Sequence, residues 1–593
     1  MASNESLEFA SDDSVDLSRR SVIRSKTGGW RACSSIIGYE FCERLAFAGI
    51  WSSLVVYLTT NLHEGTVSSS TNATNWVGTL YLTPLLGEFI ADMHLGRFST
   101  LIVFSLIYLL GMGVITLSVS MESLRPPDCL SNEPCQKGSS KQIGIFFFAL
   151  YLLAVGSGGI RANTCMFGVD QFDDFDPKEK LQKKTFLNWW ISVTFFGGLL
   201  GQTIIAYIQD KISWGLGYGI MTAAMVISSL LLVIRTPIYR HKVQTGSPLQ
   251  RMANVFFRMI KNRKVQVPSD PSSLYEVDSK EYISQGRHVI AHTTDFRFLD
   301  KAAVQNGSRS NTCTVTDVEE TKLVIRILRI WVTTIIPSTL LTQAGTLFVM
   351  QAMTLDRHII SPNFEFPAAS IGAFVNISML LSIIIYNWAF VPLLRRFTGN
   401  PRGITILQRM GIGMILHTIA MLAAMITDIK RRKVIMNYGL ADNKHSIVPL
   451  NIFTLLPQFM IMGTAEAFLE VGKLELFYEE ASDGMQSLGS TLYAASIGVG
   501  AFLNSVLLTL VSRLTGKLGQ KSWILDNLNA SHFDYYYAFL SLLSFVNYIL
   551  YLIMVGRYTY KRETGEDFEE DSNNALEIER INIHDGEGIQ RGI

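Results

Sequence analysis

Six apolar segments, a long polar stretch and six more apolar segments constrain this chain more than any other feature of its 593 residues. A helix rises 1.5 Å per residue, so about 20 apolar residues cross a bilayer's hydrocarbon core. The candidate spans lie at 33–62, 76–95, 100–121, 143–167, 188–209 and 214–234, then at 324–351, 369–394, 405–426, 448–478, 488–514 and 535–555. Charged residues are 17% of the chain, against roughly a quarter in soluble domains. The expected fold is an all-α membrane protein of twelve transmembrane helices in two six-helix halves. Its divisions are a cytosolic tail at 1–32, a first half at 33–235, a cytosolic central loop at 236–323, a second half at 324–556 and a disordered cytosolic tail at 557–593.

Lys/Arg placement sets the orientation. The central loop carries Arg240, Lys242, Arg251, Arg258, Lys261, Arg263 and Lys264 next to the sixth span, which places it and both tails in the cytosol. Lys430, Arg431, Arg432 and Lys433 then fall outside, against the rule, and read as a helix running past the bilayer. The two halves around a cytosolic loop match the major-facilitator architecture, whose substrate site lies between the halves. The loop Gly87 to Arg97 supports this, since Asp92 and Arg97 fit a motif in which the two latch neighbouring helices. With 51 Lys+Arg against 50 Asp+Glu there is no polyanion partner to expect, and no metal or catalytic motif is found.

Ionisable groups inside a span are costly and mark function. Glu40, Glu43 and Arg44 share one face of the first span, and two acids against one Arg leave a carboxylate free to carry a proton. Arg161 in the fourth span and Glu466 in the tenth have no partner on their own helices and lie in opposite halves, so they are expected to pair as a gate. Glu470 and Lys473, three residues apart, form a pair within their helix or meet the charged ends of a substrate. Glu475, on the opposite face, packs against another polar group.

These residues resemble a known family. Glu40 to Arg44 is similar to the ExxER motif of proton-dependent oligopeptide transporters, and Gly158-Gly159-Ile160-Arg161 through Phe167 to Asp173 resembles that family's fourth-span signature. Ser25 to Trp30, Leu299 to Ala303, Gln408 to Gly413 and Trp523 to Asn529 resemble its plant nitrate/peptide branch. The resemblance implies proton-coupled symport by alternating access, with protons as coupling ion, no other cofactor and no enzymatic activity. It implies proton coupling at Glu40, Glu43 and Arg44 and an inter-half salt bridge between Arg161 and Glu466. The family usually has lysine at position 161 and an aromatic at position 48; Ala48 here implies a larger pocket. Leu340, Leu341, Thr342 and Gln343 occupy the stretch where the nitrate-transporting member has a histidine, and the lack of one here argues against nitrate bound in that way.

The expected cargo is a small peptide; the alternatives are nitrate, a plant hormone or another organic anion, and a substrate sensor without net transport. The plasma membrane is the expected location, with the vacuolar membrane as alternative. Cys129 and Cys135 flank a short external loop and are expected to form a disulfide. The sequons at Asn72 and Asn529 fall on the outer side and are expected to be glycosylated, whereas Asn306, in the cytosolic loop, is not. Thr100 follows Arg97-Phe98-Ser99, a pattern for a kinase, and matches the phosphorylated position of the nitrate-transporting relative.

Overall fold

The computed structural model describes residues 14–127, 137–173, 175–242, 248–268, 270, 273–277, 289–304, 313–359, 364–400, 402–444, 446–480, 486–517 and 522–558. Cys129, Cys135, Asn306 and the tail beyond 558 lie outside them. The first half contains α1 (Gly29–Thr60), α2 (Thr66–Ile90), α3 (Arg97–Ser120), α4 (Ser140–Val169), α5 (Pro177–Ile212) and α6 (Trp214–Ile234). The central loop holds α7 (Pro248–Lys261). The second half contains α8 (Val315–Thr333), α9 (Ile335–Met353), α10 (Ala368–Thr398), α11 (Ile406–Asn437), α12 (Leu456–Glu479), α13 (Gln486–Lys517) and α14 (Phe533–Val555).

Ten of these helices are long and apolar enough to cross a membrane, and α8 with α9 forms an eleventh crossing bent by 42°. The twelfth is α2, whose outer part is rich in Ser, Thr and Asn. Those side chains turn back onto their own helix: the hydroxyls of Thr71, Thr74 and Thr79 donate to carbonyls four residues earlier. This lets α2 begin ten residues before the apolar run does. The bend between α8 and α9 has a local cause as well. Thr333 and Thr334 hydroxyls donate to carbonyls three residues back, and Asn547 donates to the Thr333 carbonyl at 2.8 Å.

The basic run 430–433 lies on the outer end of α11, which at 32 residues is about 48 Å long and outruns a hydrocarbon core of about 30 Å. Arg431 is buried, with Nε 2.7 Å from Asp428 and its other nitrogens on the Leu528 carbonyl, while Arg432 pairs with Asp534 at 3.3 Å. Two of the four cations therefore have acidic partners within the protein.

The halves meet along α2 and α13 and are bridged at their outer ends. The Thr66 amide donates to Asp526 at 2.9 Å, Lys211 reaches Glu365 at 2.5 Å, and Arg357 joins both Glu365 and Asp210. Burial would raise the Glu365 carboxyl, but Lys211 and Arg357 overcome it and hold it below its ordinary value. A depressed carboxylate stabilises the closed outer end above its unfolded value, about 4.3, and loses that contribution as pH falls through the depressed one. Glu365→Gln is expected to loosen the outer end by no more than about 1 kcal/mol, since the pair is partly exposed. Faster labelling of a cysteine introduced just inside this bridge checks it; unchanged labelling contradicts it.

The inner end of the first half is tied by Arg240. Its guanidinium, 1% exposed, donates to the carbonyls of Thr27 and Arg24 and to Glu179 at 2.8 Å. It lies against Gly28, whose φ of +70° suits glycine and whose missing Cβ leaves the space. Gly28→Ala meets strain and a clash together and is expected to destabilise by about 1–3 kcal/mol. Thermal unfolding in detergent measures this, and a wild-type midpoint contradicts it.

In the central loop, Asp300 of the Leu299–Ala303 motif docks on α8, where Lys322 Nζ lies 2.7 Å from both Asp300 and Glu319. His292 adds to this group at 3.0 Å from Asp300. The lysine ammonium sits where a cation would bind His292, Asp300 and Glu319, so the cluster is a lysine site, not a metal site.

Candidate functional site

The first charged cluster lies between α1 and α4. Glu40 and Glu43 are 1% and 0% exposed, and the helical spacing turns both toward Arg44. Arg44 Nε donates to Glu40 Oε1 at 2.6 Å and lies 3.5 Å from Glu43 Oε2. Arg161 Nε crosses from α4 and donates to Glu43 Oε1 at 3.1 Å, with Ser157 Oγ at 3.4 Å from the same oxygen. Two acids thus meet two arginines, and the spare carboxylate expected from α1 alone is taken by Arg161.

The guanidinium of Arg161 stacks over Phe47, 4.1 Å from its centroid, and faces Tyr81 at 5.3 Å. Its Nη1 and Nη2 atoms are buried without a hydrogen-bond partner among the described residues. Leaving donors of a buried cation open is costly. Such a group is a ready receptor for an anion that accepts in the plane of the guanidinium.

The gate expected between Arg161 and Glu466 is not formed in this conformation. Arg161 is held by Glu43, and Glu466, 3% exposed, is held by His417 of α11, whose Nε2 lies 2.7 Å from Oε1. The reason is local: Arg161 is paired through Nε to Glu43 and Glu466 through Oε1 to His417, each within its own half. His417 was missed in the sequence, although an ionisable residue inside the apolar run 405–426 was a signal.

On α12, which also carries Glu466, Lys473 Nζ lies 2.5 Å from Glu470, donates to Ser496 at 3.0 Å and sits 4.8 Å from the Tyr493 ring centroid. Glu475 turns away and meets Arg409 at 3.4 Å. Gln343 is buried in the tight turn Thr342–Gly345 within α9, where it donates to Asn504 at 2.7 Å. The turn packs Gly345 on Trp51 of α1, which brings the two halves together there.

Other expected sites are placed differently. Arg97 latches α3 to the end of α4 through Asp170 at 2.6 Å, while Asp92, half-buried in the turn after α2, acts on it only through its charge. Ala48 lies against Gly201 of α5, so its small size serves close helix packing rather than a larger pocket. Thr100 is 0% exposed and its hydroxyl is buried without a partner among the described residues, so a kinase has no access to it in this conformation. Asn529 is 2% exposed, with its amide donating to the carbonyls of Asn443 and Ser446, and is not available for a glycan. Asn72 lies within α2, half-buried, and donates to Glu64 at 2.9 Å.

Comparison with known proteins places this geometry. The sequence model of the POT family matches residues 98–524. The chain is 46% identical over 563 residues to Protein NRT1/ PTR FAMILY 5.3 of Arabidopsis thaliana, covering 94% of this chain and 96% of that one. It is 48% identical over 556 residues to Protein NRT1/ PTR FAMILY 5.1 of the same plant, covering 94% of each. In fold it is similar to an auto-inhibited POT family peptide transporter, with a TM-score of 0.68 at 20% identity over 90% of this chain and 99% of the other.

Proposed function

Because the chain belongs to the POT family of transporters, as an integral multi-pass membrane protein and not an enzyme, we propose that it is a proton-coupled symporter of small peptides or similar zwitterions. The observation that carries this reading is the pair of open donors on Arg161, beside a carboxylate able to take a proton. While Glu43 is ionised it holds Arg161 by Nε. A proton on Glu43 removes that attraction, and the guanidinium becomes free to take the substrate's carboxylate through its two outer nitrogens. Arginine keeps its charge at any ordinary pH, so Arg161 changes partners and the proton stays with Glu40 or Glu43. Return of Arg161 to Glu43 then requires the proton to leave, which ties each cycle to proton movement. The gate between Arg161 and Glu466 belongs to a later step of the same cycle, when substrate has left. The coupling ion is the proton, and the plasma membrane is the proposed location.

One observation favours a second reading, an organic-anion or nitrate carrier. Glu466 and Glu470, the acids that would receive a peptide's amine, are engaged by His417 and Lys473. Uptake into proteoliposomes under an imposed pH gradient separates the two. Accumulation of labelled dipeptide, with nitrate excluded, supports the peptide reading; accumulation of nitrate alone supports the second. Gradient-independent equilibration of both overturns proton coupling.

A further inference from the structure

The contact between His417 and Glu466 fixes the number of protons between them. His417 Nδ1 lies 2.9 Å from the carbonyl oxygen of Gly413, one turn earlier on α11. A carbonyl only accepts, so Nδ1 carries a hydrogen. Nε2 lies 2.7 Å from Glu466 Oε1 with both residues buried. If neither atom carried a proton, a lone pair on Nε2 would face a carboxylate oxygen at hydrogen-bond distance, which is repulsive in a medium of low dielectric. One proton therefore lies between them, on Oε1 or on Nε2, and in either form the pair is neutral as a whole. Among the described residues, the charged and titratable groups that act on it include Glu470 and Lys473 on α12 itself and Tyr493 on α13. From α10, on the other side of α12, Ser378 and Ser382 hydrogen-bond to Thr464.

We propose that His417 and Glu466 form a second protonation site, in the C-terminal half, whose proton retains Glu466 and whose loss releases it to Arg161. This rests on the reading that Arg161 and Glu466 form the closing pair. The proton passes to cavity water, His417 remains neutral with Nδ1–H on the Gly413 carbonyl, and the pair changes from neutral to a single negative charge on Glu466. That carboxylate, now facing a lone pair, turns to a cation. Arg161 is available to it only when Glu43 has taken a proton, so loading on one side and unloading on the other favour the same closed arrangement. His417 is a positioning residue here, since it acts through Glu466.

The test is pH-difference infrared spectroscopy of the full chain in lipid, with the proton as the only ligand. The expected result is a carboxyl band set that disappears in Glu466→Gln and whose midpoint moves by about one pH unit or more in His417→Gln, a tenfold change in proton affinity. Glu475→Gln, on the opposite face of α12, leaves that midpoint in place. Should His417→Gln fail to fold, His417→Asn, a shorter amide that keeps a donor for Gly413, is read in the same way. A midpoint indifferent to the His417 variants, or a pair in which neither the Glu466 carboxyl nor the His417 imidazolium loses a proton across the pH range, overturns the proposal. Wild-type uptake that ignores a pH gradient, with the midpoint shift intact, counts against proton symport and not against the shared proton.

Discussion

Glu43→Gln is expected to abolish uphill uptake driven by a pH gradient while leaving counterflow exchange partly intact. Glu43 is the one carboxylate that touches both arginines of the first-half cluster, with Arg161 at 3.1 Å and Arg44 at 3.5 Å. Glutamine keeps an acceptor for Arg161 Nε and fills the same space, so the site assembles, but it neither binds nor releases a proton. Exchange moves substrate both ways without net proton flow and survives in part; accumulation needs the proton and is lost. Glu43→Ala is expected to be worse, because stranding a buried charge typically costs about 3–5 kcal/mol. Undiminished accumulation by Glu43→Gln under a pH gradient would remove Glu43 from the coupling step.

Arg161→Ala is expected to lose both uptake and exchange. It removes the open donors and the partner of Glu43 and empties the space over Phe47. Arg161→Lys keeps the charge but not the planar fork, so transport continues with a raised KM; equal KM values for the two would show that the open nitrogens do not hold substrate. Glu466→Ala is expected to fold, since His417 can remain neutral on the Gly413 carbonyl, yet to stall where the halves close. The reciprocal swap, Arg161→Glu with Glu466→Arg, puts a second carboxylate beside Glu43 and is expected to stay inactive. Recovery of exchange in that double variant would mean that attraction between the halves matters more than the bond to Glu43.

The architecture was legible in the sequence because apolar length is a property of each segment alone. Twelve segments around a basic loop gave the two halves; what they missed was where α2 begins, since hydroxyls bonded to their own helix replace apolar side chains over its first ten residues. The cluster on α1 was legible for the same reason, since Glu40, Glu43 and Arg44 are fixed relative to one another by helix geometry. Partners across helices were not. Arg161 was assigned by charge to Glu466, yet its distance from Glu43 depends on how α4 packs on α1, which small residues such as Gly156 and Gly158 govern through close contacts with α3 and α2. His417 was overlooked because a lone histidine in an apolar run shows no spacing to an acid on another helix. Thr100 and Asn529 carried the right local patterns, but burial overrides a motif, and burial is set by the whole fold.

The account's central claim is that one carboxylate in the first half carries the proton that moves with substrate. It is tested most directly by recording acidification inside proteoliposomes, with a trapped pH indicator, when labelled dipeptide or nitrate is added outside without an imposed gradient. The predicted result is substrate-dependent proton entry in the wild type and none in Glu43→Gln, although both exchange the same substrate. Substrate entry without acidification in the wild type, or equal acidification in Glu43→Gln, would contradict it.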